Sequence, residues 1–145
     1  MTLEDLRNSG WLSPHQSSPQ EIADLLAITD RDLKDCRSKG LSVDWKFNIA
    51  YNALLQAATA ALAAAGYRAS GESHHYRVLQ SLTLTLGVST ETLRQLDAFR
   101  KKRNLTGYER AGTVSDQEAA EIIRVAQTIR EQVEQWVKAN RPGLM

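Results

Sequence analysis

Cysteine is almost missing from this chain: its 145 residues include one, Cys36, so no disulfide can form within it. Glycine-rich phosphate loops are missing too, because the glycines stand singly where helices end. Histidine and cysteine do not cluster with zinc-ligand spacing, so neither a metal nor another cofactor is expected. The net charge is only +1, which leaves any attraction for anions to a local patch. Long apolar runs are absent as well. The nearest approach, Ile49 to Gly66, is interrupted by Asn52 and Gln56 and dominated by alanine, which suits a close-packed helix rather than a membrane span. The acidic, polar stretch from Thr2 to Asn8 has no basic-then-apolar leader pattern, so a cytoplasmic protein is expected. Strand signals are nearly absent. One stretch alternates, Leu82-Thr83-Leu84-Thr85-Leu86, and it is short and bounded like a helix end.

What the chain does have is helix punctuation. Ser18-Pro19-Gln20-Glu21 combines an N-cap serine, an N1 proline and a returning glutamate, and predicts a helix from about Pro19 to Ser38. Cys36 falls in its apolar row with Ile22, Leu25, Leu26, Thr29 and Leu33, which predicts a buried core thiol. Ser42 and Asp44 open a second helix carrying Phe47, Ala50, Tyr51, Leu54, Leu55, Ala58 and Leu62 as far as Gly66. A third runs from about Ser73 to Leu86 and places His75, Leu79, Leu82 and Leu86 on one side. The fourth, capped by Ser89 or Thr90, aligns Leu93, Leu96, Phe99 and Arg103, so Arg103 falls at the edge of an apolar face. Ser115-Asp116-Gln117-Glu118 opens the fifth with a capping box, followed by a long stripe from Ala119 to Trp136. The expected fold is all-α: an up-and-down four-helix bundle core with a fifth helix, spanning residues 18–145. Residues 1–17 are expected to form a short N-terminal arm that packs by Trp11 and Leu12.

The candidate chemistry lies in Arg100-Lys101-Lys102-Arg103-Asn104-Leu105-Thr106-Gly107-Tyr108, where four consecutive cations end a helix beside an aromatic residue. Such a cluster suits an anionic partner, or else it complements the helix dipole as a solvated end. His75 is either a packed, hydrogen-bonded residue or an acid, base or phosphate contact. Its neighbour His74 points about 100° away, so the two do not form a chelating pair. Tyr51 and Asn52 stand mid-helix, where they either orient a ligand in an inter-helix cleft or satisfy groups inside the bundle. Trp45 and Trp136 are expected as core or interface anchors. Arg77 and Arg94 are expected to face solvent.

Asp44-Trp45-Lys46-Phe47, Ala50-Tyr51-Asn52-Ala53, Gly66-Tyr67-Arg68, Gly71-Glu72-Ser73-His74-His75 and the run from Arg100 to Tyr108 together resemble the HEPN superfamily. Its members are four- or five-helix bundles of bacterial toxin, defence and nucleotidyltransferase-partner proteins. The likeness covers most of the chain and is greatest to small stand-alone members. In active members an arginine, four to six variable residues and a histidine sit at the mouth of a cleft between two subunits. There the arginine stabilises phosphate charge, and the histidine takes part in metal-independent cleavage of RNA by its own 2′-hydroxyl. Carried over, Arg103 matches the motif arginine and Asn104 the polar residue after it, while Tyr108 stands where the histidine should be. A phenol with pKa near 10 is a poor general base at neutral pH and serves as a hydrogen-bond donor at best. The tyrosine that antitoxin nucleotidyltransferases modify in related systems corresponds to Arg110 here.

The resemblance therefore implies a homodimer that binds RNA or nucleotide phosphates through Arg100, Lys101, Lys102, Arg103 and Asn104, with catalysis weakened or lost. Tyr108 would act as donor or stacking face, and Tyr51, Asn52 and His74 would support the site. One alternative is a ribonuclease toxin in which His75 or His74 supplies the missing imidazole. Another is a subunit that pairs with a nucleotidyltransferase-type antitoxin and touches no nucleic acid.

Overall fold

The structure, a computed structural model, describes residues 1–71, 74–106 and 112–145. Its chain order is α1 (Leu3–Asn8), β1 (Leu12–Pro14), α2 (Pro19–Asp35), α3 (Val43–Ala64), β2 (Tyr67–Ala69), α4 (His74–Thr85), α5 (Thr90–Thr106) and α6 (Asp116–Asn140), with a closing 3-10 turn at Pro142–Leu144. The result is an all-α helical bundle. The stretch from Leu82 to Thr85 is helical, as its flanks predict.

Serine side chains start the helices where the sequence places them. The Oγ of Ser18 accepts the Glu21 N–H at 3.1 Å, and that of Ser42 accepts the Trp45 N–H at 3.2 Å. Ser115 and Glu118 exchange both bonds of a capping box at 3.0 Å each. Helix α2 stops at Asp35, three residues short of the expected Ser38. The reason is a tightening of its last turn: the N–H groups of Arg37 and Ser38 bond to carbonyls three residues back, those of Lys34 and Asp35.

Helix α3 is the axis of the bundle and packs against α2, α4, α5 and α6. Ala57, Ala58, Ala60 and Ala61 are fully buried, and their small side chains let neighbouring helices come close on several sides. Ile22, Leu26 and Leu33 of α2 and Ile122, Ile129, Val133 and Val137 of α6 complete the core, together with Cys36, which is fully buried as its spacing predicts. Burial pushes the Cys36 thiol pKa up, so the group stays a neutral core side chain.

The N-terminal arm is more ordered than expected. A Thr2–Asp5 capping box opens α1, and β1 pairs antiparallel with β2 in the register Leu12↔Ala69, Ser13↔Arg68, Pro14↔Tyr67. Leu12 is buried, and Trp11 packs edge-on to Tyr76 at 5.8 Å, so the arm does dock by these two residues. Two other expectations are corrected. Trp45 is 61% exposed, which drops the core half of its expectation and leaves the interface half, because near the start of α3 the inward direction belongs to Phe47. Arg77 does not face solvent alone: its guanidinium lies 5.6 Å over the Trp11 ring and donates to the Ser70 carbonyl at 3.0 Å. Trp136 packs partly buried against the core, and Arg94 is exposed.

Candidate functional site

Residues 48, 52 and 56 of α3, with 51, 55 and 59 beside them, follow helical i, i+4 spacing and therefore share one face. That face floors a cleft of about 580 Å³. Its walls are the start of α4 with His74 and His75, the end of α5 with Arg103, and β2 with His15 and Glu21 beside it. All three histidines of the chain line it.

Tyr51 is the centre of one end. Its ring is buried, 1% exposed, with the Arg103 guanidinium 5.8 Å from its centroid and the His75 Nδ1 3.4 Å from its hydroxyl. Burial drives the Tyr51 pKa up to about 12, against the opposing pull of Arg103 and Arg100. The phenol therefore stays protonated and can donate to Nδ1. Burial, then His74, Arg103 and Arg100, hold the His75 pKa below its ordinary value of 6.5. A neutral imidazole results, which with Nδ1 accepting from Tyr51 carries its proton on Nε2. His74 is exposed and meets His75 edge-on at 4.4 Å.

Asn52 is fixed from behind. Its Nδ2 donates to Asp32 Oδ2 at 2.6 Å, and its Oδ1 accepts from Gln56 Nε2 at 3.4 Å. Asp32 is 6% exposed and also accepts from Arg31 Nε at 3.1 Å, so a buried carboxylate holds the amide at the cleft floor. This residue escaped the sequence analysis. The available signal was a carboxylate within the apolar row Thr29, Asp32, Leu33, Cys36.

The basic run divides. Successive helical residues turn by about 100°, so the cations leave α5 in different directions. Arg100 donates to Asp97 at 2.8 Å and lies 5.3 Å over the Tyr76 ring, and Lys101 meets the same carboxylate at 3.3 Å. Lys102 turns to Glu118 of α6 at 3.3 Å, and Asn104 is exposed. Of the run, only Arg103 is among the described residues that line the cleft. Tyr108 lies outside the described residues.

No family model and no curated protein matches the chain.

Several lining groups were not anticipated as site residues. His15 places Nε2 2.8 Å from both carboxylate oxygens of Glu21, and its backbone N–H donates to the Gly66 carbonyl at 2.8 Å. Arg68 and Asn48 also line the cleft. Among the described residues no group of histidines, cysteines and carboxylates is arranged to hold a metal ion. No helix among them is long and apolar enough to cross a membrane.

Proposed function

We propose that this chain is a HEPN-like protein that binds RNA or nucleotide phosphates in the cleft over α3, as a homodimer in a toxin or defence setting. The observation that supports it is the meeting of Arg103, the residue matching the motif arginine, with Tyr51 and His75 in one cleft. A guanidinium beside a buried phenol presents planar donors to phosphate oxygens, and the imidazole adds a further polar contact. Arg100, Lys101 and Lys102 then contribute through their field rather than by direct contact, because each is held by a carboxylate.

Binding of single-stranded RNA, followed by fluorescence anisotropy across a salt series, tests the reading. Affinity should fall steeply as salt rises, and Arg103→Ala should weaken it about tenfold, the loss of one charge-assisted contact. An affinity that is flat from low to moderate salt, or unchanged in Arg103→Ala, removes the proposal.

A second reading, metal-independent RNA cleavage, is favoured by the placement of His75 in the same cleft as Arg103, with burial keeping its imidazole neutral. To act there, His75 would turn its Nδ1 away from the Tyr51 hydroxyl, and that unprotonated nitrogen, beside Arg103, would take the proton from a 2′-hydroxyl. The freed oxygen would attack the adjacent phosphorus, and the departing 5′-oxygen would be protonated from solvent.

A further inference from the structure

The cleft is longer than one phosphate needs. Its floor runs along α3 from Asn48 to Ala63, which at 1.5 Å per residue is about 22 Å. Arg103 enters at the Tyr51 end. At the other end the chain turns at Gly66, with φ of +96°, and β2 carries Arg68 back along the wall. Arg68 is the second residue after that turn, so its backbone stays within about 7 Å of it. Arg68 is exposed, lines the cleft and meets no carboxylate among the described residues, unlike Arg100, Lys101 and Lys102.

Between these cationic ends the floor is neutral and hydrogen-bonding: Asn52 and Gln56, with Thr59 beyond them. Glu21 is the one carboxylate among the described lining residues, and both its oxygens are engaged by His15. A groove with cations at its two ends and amides between them matches a polyanion with spaced charges and polar bases. A single phosphate would leave half of it unused.

We infer that the α3 groove takes an extended single strand of RNA, with Arg103 and Arg68 on separate phosphates and Gln56 and the Asp32-anchored Asn52 on the bases between. The inference rests on the phosphate role of Arg103. At the roughly 3.4 Å per nucleotide of a stacked strand, the floor accommodates about six nucleotides. A stretched strand would fill it with fewer. Asn52 commits one N–H to Asp32 and its oxygen to Gln56, so Gln56, with its own oxygen and second N–H, offers the acceptor and donor that a base edge needs, and Asn52 adds its remaining N–H.

Uridine monophosphate and oligouridylates of increasing length, measured by competition against a labelled hexamer, provide the test. Affinity should climb from the monophosphate to about the hexamer and then level off. Arg68→Ala should weaken the hexamer about tenfold, lower its salt slope by about 0.7 and leave the monophosphate unchanged, while Arg68→Lys restores the slope. Arg103→Ala should weaken both probes. A hexamer no tighter than the monophosphate, or one indifferent to Arg68→Ala, overturns the extended-strand inference and leaves the Arg103 site standing. If neither probe binds, the phosphate reading falls and this inference with it.

Discussion

His75 concentrates the chemical question at the scale of single residues. Its pKa lies below 6.5, so more than half of it is unprotonated at that pH, where an unperturbed histidine would be half protonated. If it acts as base, RNA cleavage should persist in a chelator and rise with pH to a plateau, with a midpoint below 6.5. His75→Gln should lower the rate about a hundredfold or more. A rate abolished by chelator, or unchanged in His75→Gln, removes the nuclease reading. The sequence made Arg103, His75, His74, Tyr51 and Asn52 visible as candidates, and the fold gathers these five around one cleft. Arg100, Lys101 and Lys102 looked equivalent to Arg103 in a linear string. Helical rotation separates them, which adjacency in sequence conceals. His15, Asp32 and Arg68 were illegible for another reason: each reaches its place through contacts between elements far apart in the chain.

The helices were legible as elements because their starts depend on local chemistry. Ser18, Ser42 and Ser115 each satisfy an otherwise orphaned N–H within the next turn. Ser115→Ala removes half of the capping box on α6, the helix whose apolar stripe covers one side of α3. The expected loss is about 1 kcal/mol, or roughly 3 °C in Tm for a domain of this size, readable by thermal melting. An unchanged Tm would mean that water caps α6 as well as the serine does. The β1–β2 pair was not legible. Strands of three residues are too short for alternation to register, and theirs joins segments on either side of two helices.

At the scale of the whole molecule, a net charge of +1 offers no global field, so the proposed anion recognition would depend on the groove and be sensitive to salt. The proposed homodimer sets two Arg103 residues toward a shared opening. Light scattering at micromolar concentration should therefore return about twice the chain mass of 16.2 kDa. A monomer would rule out a composite site and confine any ligand to the groove of one copy. The all-α class followed from periodicity and caps, whereas the association of copies has no local signature in the chain.

Because all three imidazoles border the groove, the protein carries its own reporters. Their ring protons resonate apart from most of a proton NMR spectrum, and none of the signals comes from elsewhere on the molecule. His75 and His74 would report events beside Arg103, and His15 would report the opposite end, without any label being introduced.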